Sequence, residues 1–369
     1  MGIVDRSLKL GNRERIIRTC RCEDVDRLPF FLMQGTWPET LQRWREEGME
    51  SDDLSDVFGF DAGFEYIPVN LGYCPMFEQK TISDDGKMRV RRNEYGITLE
   101  EKVGHSTIPN FIDYPVKTRE DWETLKKERL DPNSSGRFPD DWQQIVRSLK
   151  EKDVATQIGT WPYGLFGTLR DLFGVEGLLM AFCEEPELIH EIMDYLTDFW
   201  IEIYRLILKD VQIDHIHIWE DMSCKHGPLI SPAMVREFMM PNYIKIVEFA
   251  KQNGISIVSI DTDGNVDLLL PIYEECGINL VLPFEVQAGS DVVKYRKEYP
   301  NICILGGIDK RELTYGYAEI DAELDRVSEL FSTSGYIPSP DHQVHPEVSY
   351  ENFTYYSEQL LKRLQGAAT

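Results

Sequence analysis

Carboxylates and histidines follow short apolar runs at several points along this 369-residue sequence. They are Glu65, Glu220, Asp221, Asp261, Asp263, Glu285, Asp309, Asp341, His342 and His345. Taken singly, each could be a solvated strand end or a salt-bridge partner, and Asp263 and Asp309 could be acids favoured at helix N-termini. Brought together at one site, these carboxylates would repel one another unless a cation were present. The pattern therefore predicts a metal ion or the cationic part of a substrate among them.

A metal ion in such a site would be zinc, because zinc accepts both histidine and carboxylate ligands. Catalytic zinc sites usually take three ligands from the protein. Asp261, Glu285 and His342 follow different apolar runs, so they are the candidates to converge on one ion. A positively charged group of a substrate would also relieve the repulsion. Both explanations stay open from the residues alone.

Histidines and aromatic residues occur near these acids. His215 and His217 are two apart in an apolar segment, so on a strand they share one face with Trp219. We interpret the two histidines as inward-facing core residues. The segment GTWPYGLFG carries Trp161 and Tyr163 and predicts an aromatic loop over the site, which could stack on a substrate or pack as a lid. We predict that Trp161, Tyr163 and Trp219 contact the substrate.

Eight apolar segments predict the strands that hold these residues. They span residues 28–33, 62–69, 154–159, 215–220, 256–261, 279–285, 302–308 and 335–339. Helical patterns separate the later segments, and continuous apolar strands are typical of a parallel sheet covered on both faces. The sequence therefore predicts an α/β fold, a single (β/α)8 TIM barrel with its site at the carboxyl strand ends. An open doubly wound sheet is the alternative, but no glycine-rich dinucleotide fingerprint follows a strand.

Residues 70–152 separate the second and third predicted strands and form a region of their own. Residues 87–104 alternate around NEYG, which predicts a hairpin, and residues 117–132 have the pattern of an exposed helix. We predict that this region is an insertion at the C-terminal rim of the barrel that acts as a lid. Residues 1–369 would then form one domain.

The charge of the chain limits its partners. With 64 acidic and 39 basic residues, the formal charge is −25. This argues against duplex nucleic acid or an anionic membrane, because both require clustered lysine and arginine, but it allows a small-molecule substrate. No window approaches the roughly 18 to 20 apolar residues of a membrane span, and the N-terminus lacks the apolar core of a secretory signal. Seven scattered cysteines without a Cys-x-x-Cys pair are typical of free thiols, so we predict a cytoplasmic protein.

Four stretches resemble, in this order, the uroporphyrinogen decarboxylase superfamily. They read HIWEDMSCKHGPLISPAMVREFMMPNYIKIV, DTDGNVDLLLPIYEECGINLVLPFE, ILGGIDKREL and DHQVHPEVSYENF. The resemblance starts from RCEDVDRLPF and covers nearly the whole chain. It implies a single (β/α)8 barrel, in agreement with the strand pattern, and a homodimer would also fit the superfamily.

The resemblance implies one of two chemistries. Some members decarboxylate uroporphyrinogen without a cofactor, and others transfer a methyl group between a substrate or coenzyme and the cobalt of a corrinoid protein, usually with zinc. True decarboxylases carry arginines near the first strand that hold propionates, whereas the matching stretch here offers the uncharged Gln34. Glu65 matches their catalytic aspartate only loosely, and His342 matches their C-terminal histidine better. The missing clamps disfavour uroporphyrinogen as the substrate.

The methyltransferase branch is the closer match, with altered ligands. Where thiol-activating members have His-x-Cys-Gly-Asn, this chain has Asp261 and Asp263, and His342 occupies the place of their late cysteine. The resemblance therefore adds Asp263 to the predicted zinc ligands. Oxygen and nitrogen ligands would make zinc a harder Lewis acid, better suited to an ether oxygen than to a thiol.

We therefore hypothesise an O-demethylase-type methyltransferase that acts on a methoxylated small molecule. Zinc would polarise the methoxy oxygen, and a corrinoid carried by a partner protein would take the methyl group. The predicted catalytic residues are Glu65, Glu220, Asp221 and His345. His345 or Asp221 would protonate the leaving oxygen, and Gln34 and Asp309 would contact the substrate. The alternatives are a decarboxylase of a smaller carboxylated substrate that needs no cofactor, and a non-catalytic binder of a tetrapyrrole or corrinoid.

Overall fold

Thirteen strands are present in the computed structural model of the chain, which describes residues 2–104 and 109–366. In chain order they are β1 Phe64–Tyr66, β2 Lys80–Asp84, β3 Met88–Arg92, β4 Thr98–Lys102, β5 Asn110–Asp113, β6 Ala155–Ile158, β7 His215–Trp219, β8 Ser223–Cys224, β9 Gly227–Pro228, β10 Ile257–Asp261, β11 Leu280–Leu282, β12 Cys303–Ile308 and β13 Tyr336–Pro340.

Seven of these strands form the central sheet, in the order β1-β6-β7-β10-β11-β12-β13. Every neighbouring pair is parallel, and the sheet is curled. Seven of the eight predicted strands are thus confirmed, as is the α/β class. Because the order follows the chain without a reversal, the sheet lacks the switch point of a doubly wound fold, and that alternative is wrong.

The first predicted strand, residues 28–33, is not a strand, so a complete eight-stranded barrel is not confirmed. Its backbone bonds to other groups. Pro29 has no N–H, and the N–H of Phe30 donates to the Asp61 carboxylate at 2.9 Å. The segment still lies between the two end strands, because Phe31 packs against Phe64 of β1 and the Met33 N–H donates to Ser339 of β13.

Fourteen α-helices surround the sheet in the described ranges. They are α1 Asn12–Cys20, α2 Pro38–Glu46, α3 Leu54–Phe58, α4 Arg119–Arg129, α5 Trp142–Glu151, α6 Leu165–Phe173, α7 Val175–Glu184, α8 Pro186–Ile207, α9 Pro232–Met234, α10 Met240–Gln252, α11 Leu270–Cys276, α12 Val292–Glu298, α13 Tyr317–Arg326 and α14 Tyr350–Gln365. Ser349 caps α14, since its side chain accepts from the Asn352 N–H. Of the helices described, none has the length and apolarity that crossing a membrane requires.

Helix α1 packs against β6 and β13 at the amino end of the curled sheet. Its Ile16 and Ile17 form one buried cluster with residues at the starts of neighbouring strands, among them Ala155, Ile257 and Leu280. A larger apolar core lies between the outer face of the sheet and the helices. The amino ends of the strands are therefore closed, and the carboxyl ends are free to form a site.

The region 70–152 contains an antiparallel sheet of four strands, β2-β3-β4-β5, and helices α4 and α5. The predicted hairpin is confirmed by the antiparallel pairing of β3 with β4. The predicted exposed helix corresponds to α4, but its Trp122 and Leu125 are buried, so it packs onto the core. Residues 105–108 of this region lie outside the described residues. Tyr95, in the β3–β4 turn, contacts Trp161 with 5.1 Å between ring centroids.

Candidate functional site

A cavity of about 680 Å³ opens at the carboxyl ends of the parallel strands. Its described lining includes three carboxylates, Asp61, Asp261 and Asp263, but no lysine or arginine. Five aromatic rings contribute to the wall, namely those of Phe31, Phe60, Phe64, Trp161 and Trp219. The cavity therefore combines an acidic surface with an aromatic one.

A chain of polar contacts connects two strands at the floor of this cavity. His215 Nε2 lies 2.6 Å from Ser259 Oγ, which lies 3.1 Å from His217 Nδ1. His217 Nε2 in turn lies 3.3 Å from the Asp261 carboxylate. Burial, together with His217, holds the pKa of His215 well below its usual value, so this imidazole is neutral. Both histidines are buried as predicted, but they line the cavity and are more than core residues.

A second imidazole–carboxylate pair lies in the loops above the strands. His342 Nε2 is 3.6 Å from the Asp263 carboxylate, and both residues line the cavity. Contact with Asp263 raises the pKa of His342 above its ordinary value, although burial acts in the opposite direction. Around neutral pH this imidazole therefore holds a proton more readily than a free histidine does. The two predicted ligands Asp261 and Asp263 both face the cavity, each toward a different histidine.

Lys310 supplies a cation to the neighbouring acids. Its Nζ lies 3.6 Å from the Glu285 carboxylate and 3.8 Å from that of Asp341, and its side chain is only 16% exposed. Glu285 also accepts from the Gly264 N–H at 3.0 Å. The repulsion expected among the strand-end acids is thus relieved, for these two carboxylates, by a lysine of the chain itself.

The four predicted zinc ligands do not converge. Asp261 and Asp263 face separate histidines, and Glu285, which faces Lys310, does not line the cavity. Within residues 2–104 and 109–366, no three His, Cys, Asp or Glu side chains are grouped so that they could hold a metal ion. Because a catalytic zinc site usually needs three protein ligands, the residues as placed do not fit zinc.

Glu220 is placed away from the cavity, in contrast to its predicted catalytic position. Its fully buried carboxylate accepts from three backbone N–H groups at the start of α6 and from the Tyr243 hydroxyl at 2.7 Å. Burial raises the pKa of Glu220 to about 7, although these four donors act to lower it. The strand ends at Trp219, and the next side chain turns outward to the helix N-terminus. Glu220 therefore holds α6 against the sheet.

Four other predicted residues also lie outside the cavity lining, because each has a partner elsewhere. Asp221 pairs with Arg170, and Asp309 forms a bidentate pair with Arg311. Glu65 points away from the cavity because its neighbour Phe64 points in, and it pairs with Lys152 at 2.7 Å. His345 Nδ1 lies 3.3 Å from the exposed Glu347 carboxylate, and burial lowers the pKa of His345. Their predicted placement at the cavity is wrong.

The predicted substrate contacts divide in the same way. Gln34, Trp161 and Trp219 line the cavity, whereas Tyr163 packs behind it against Gly72. Trp161 is 49% exposed at the mouth, and its ring meets that of Trp219 edge to face at 6.3 Å. These two indoles therefore form an aromatic corner that a bound molecule would touch.

Sequence reasoning did not identify Lys310 or Ser259. Lys310 follows the predicted strand end at Asp309, so its place in a rim loop was available from the sequence. Ser259 lies two residues before Asp261 on one strand, and strand periodicity would have put both side chains on one face. Each of these two residues lies within two positions of an acid that was itself predicted to belong to the site.

Comparison with known proteins gives one family and one fold. A family model described as uroporphyrinogen decarboxylase (URO-D) matches residues 88–360. A methyltransferase from Methanosarcina mazei is 16% identical, with a TM-score of 0.61 over 97% of this chain and 99% of that chain. At this identity the likeness shows the fold alone.

A weaker likeness is to a B12-independent methionine synthase from a Shewanella species. It is 10% identical and covers 62% of this chain and 67% of that one, with a TM-score of 0.41, which is too low to support an argument. None of the curated proteins matches the sequence.

Proposed function

This chain belongs to the uroporphyrinogen decarboxylase family, whose model matches most of its length, and we propose that it is a methyltransferase of that family. In this proposal it transfers a methyl group from a methoxylated small molecule to a corrinoid carried by a partner protein. The fold shared with the Methanosarcina methyltransferase is compatible with this assignment.

The observation that supports the proposal is the absence of lysine and arginine from the described lining of the cavity. Uroporphyrinogen carries many carboxylates, and a site for it needs cationic clamps. The cavity instead presents Asp61, Asp261 and Asp263, which would repel such a substrate. Of the two chemistries of the family, methyl transfer from a small, uncharged or cationic molecule fits this lining better.

The residues of the chain suggest how the ether bond is broken. The aromatic corner of Trp161 and Trp219 would hold the substrate ring, and Gln34 would orient it by a hydrogen bond. The bond between the methyl carbon and oxygen breaks with its electron pair left on the oxygen. His342, kept protonated by Asp263, donates a proton to that oxygen. A corrinoid on the partner protein would supply the nucleophile that accepts the methyl group.

No step is assigned to zinc, because the predicted ligands are not grouped to hold it. In the hypothesis from the sequence, zinc stabilised the leaving oxygen. In this proposal the proton from His342 stabilises that oxygen instead. His345 and Asp221, the proton donors predicted from the sequence, are not part of the described lining of the cavity.

The test is to mix the purified protein with a reduced corrinoid protein and methoxylated aromatic compounds. Methyl transfer predicts the spectrum of methylated corrinoid and release of the demethylated product. The alternative, a decarboxylase, predicts carbon dioxide release from a carboxylated substrate with no corrinoid present. Carbon dioxide release, together with an unchanged corrinoid spectrum for every methyl donor, would overturn the proposal.

A further inference from the structure

The carboxylates around the cavity differ in how their charge is balanced. Those that face away from it, or that lie at its edge, have fixed cationic partners in the chain. The pairs are Asp61 with Arg27, Asp221 with Arg170, Asp309 with Arg311, and Glu285 and Asp341 with Lys310. In the described part of the chain, Asp261 and Asp263 have histidines as their only ion-pair partners.

The hydrogen bonds of His217 do not require it to carry a charge that would balance Asp261. A single direction of donation satisfies the chain at the cavity floor with both imidazoles neutral. His215 Nε2–H donates to Ser259 and the Ser259 hydroxyl donates to His217 Nδ1, while His217 Nε2 lies 3.3 Å from the Asp261 carboxylate. His217 thus needs no positive charge to bond its neighbours, and Asp261 keeps a negative charge that faces the cavity.

The cavity also contains a polar atom that lacks a partner. In the arrangement above, His215 Nδ1 is an acceptor, and among the described residues nothing donates to it. The residue is 1% exposed and lines the same cavity as Asp261. A buried acceptor of this kind is costly unless a ligand or a water molecule bonds to it. A water molecule or a hydroxyl group of a ligand at the floor of the cavity would satisfy it.

Aromatic rings occupy the same space as the unbalanced acid. Phe31, Phe64 and Trp161 line the cavity with Asp261 and Asp263. The electron-rich faces of such rings attract cations, and rings combined with carboxylates are the usual means of binding ammonium groups. One face of Trp219 is already taken by Arg170, whose guanidinium carbon is 4.8 Å from the ring centroid, so Trp161 is the indole left for a ligand.

We propose that the methyl donor carries a positively charged nitrogen, a quaternary or methylated ammonium group, which binds in this cavity against Asp261 and Trp161. The sequence alone left open whether the cation is a metal ion or part of a substrate. The cation inferred here is part of a substrate. The identity of the ligand as a methyl donor rests on the proposed function, whereas the charge of the ligand rests on the cavity alone.

Titration calorimetry on the full-length protein tests the charge directly. The probe is choline, compared with the uncharged alcohol in which a carbon atom replaces its nitrogen. The two molecules have the same shape, so they differ only in what the acids and rings would recognise. We expect choline to bind at least about tenfold more tightly than the uncharged alcohol.

Variants locate the binding site. Asp261→Asn should weaken choline binding about tenfold, whereas Asp261→Glu, which keeps the charge, should retain most of the affinity. Trp161→Leu should weaken it, and Trp161→Phe should retain it. Glu347→Gln is the matched control, since it removes one charge from the loop of His342 but its side chain is 80% exposed. Its affinity for choline should be unchanged.

Any of four results would overturn the proposal. One is equal binding of choline and the uncharged alcohol, and another is unchanged choline binding in Asp261→Asn. The third is that Zn²⁺ alone binds stoichiometrically and displaces choline, which would identify the cation as a metal. Choline binding requires no corrinoid, so it can succeed even if methyl transfer fails. Transfer from an uncharged methoxy compound without choline binding would sink this inference and leave the proposed function in place.

Discussion

Residue by residue, the proposed chemistry depends most on His342, whose pKa Asp263 raises. Because contact with Asp263 raises the pKa of His342, the imidazolium persists above the pH at which a free histidine has lost its proton. Glu285 acts in the same direction, whereas burial and Lys310 act against it. A reaction that needs this proton slows as pH rises through the raised pKa.

We therefore expect Asp263→Asn to move the alkaline limb of the pH–rate profile to lower pH. The amide removes the charge that holds the proton on His342. His342→Gln should lower the rate by roughly a hundredfold or more, since it removes a general acid. Rates of methyl transfer measured across pH in the three proteins test this. An alkaline limb that does not move in Asp263→Asn would contradict the role of the pair.

Treatment with a chelator tests whether the four predicted zinc ligands hold a metal ion that the reaction needs. As they are not grouped to hold a metal, we expect chelator-treated protein to transfer methyl groups at the original rate. Elemental analysis of the same sample, before and after treatment, is the required control. Stoichiometric zinc that is lost together with activity would show that these residues rearrange around the ion.

Lys310 should be more important for stability than an ordinary surface lysine. Lys310→Met leaves the 1%-exposed Asp341 carboxylate without its cation, and we expect a loss of about 2 kcal/mol in the free energy of unfolding. The loss should shrink at acidic pH, because burial already raises the pKa of Asp341 and the protonated acid needs no cation.

Lys297→Met is the matched control for this loss. Lys297 pairs with Glu329 at an exposed position, so its removal should cost less than about 1 kcal/mol. Urea denaturation at two pH values measures both variants. Equal losses in the two proteins would mean that Lys310 does not balance a buried charge.

Six of the predicted site residues line one cavity, and for those that end or follow the parallel strands the reason is strand topology. Residues after parallel strands meet at one end of a sheet, which brought Asp261, Asp263 and His342 to one cavity together with Gln34, Trp161 and Trp219. Strand topology does not determine which way a side chain turns after its strand ends. Glu220, Asp221 and Asp309 satisfy helix amides or arginines instead, and these partners are distant or unmarked in the sequence.

At the scale of elements, the junction between β7 and α6 depends on Glu220. Its carboxyl group receives the first amides of α6 and the Tyr243 hydroxyl, all without access to water. We expect Glu220→Ala to cost about 3 to 5 kcal/mol of stability, because it leaves buried donors unpaired and opens a void. Tyr243→Phe, which removes one of these bonds, should cost about 1 kcal/mol.

Thermal or urea unfolding measures this pair of variants. Choline affinity, determined where Glu220→Ala is still folded, separates a structural role from a role in the cavity. An unchanged affinity agrees with the position of Glu220 behind the wall. A large loss of affinity with little loss of stability would return Glu220 to the site.

The strands were more predictable than their closure into a barrel. Seven apolar segments pair in the expected parallel order, because continuous apolar strands can be buried only between layers of helices. Residues 28–33 are apolar like the other seven segments. However, the Phe30 N–H donates to the Asp61 carboxylate, which is itself paired with Arg27. Composition cannot reveal such a distant acceptor, so the missing strand could not be foreseen.

For the whole molecule, the formal charge of −25 has a consequence for small charged ligands. A negative surface raises the local concentration of cations and of cationic ligands near an acidic cleft. Mobile salt screens this field, with a Debye length of about 30 Å at 0.01 M and about 10 Å at 0.1 M. The net charge and the charge inside the cavity therefore act in the same direction on a cationic substrate.

Choline binding should accordingly weaken severalfold when ionic strength rises from about 0.01 M to about 0.1 M, while binding of its uncharged isostere stays level. In Asp261→Asn the salt dependence should be shallower, because one nearby charge is gone. Glu347→Gln changes the net charge by the same amount at an exposed position. The salt dependence of choline binding in this variant should therefore match that of the unmodified protein more closely. If salt weakened the binding of choline and of its uncharged isostere equally, the effect of salt would not depend on the charge of the ligand.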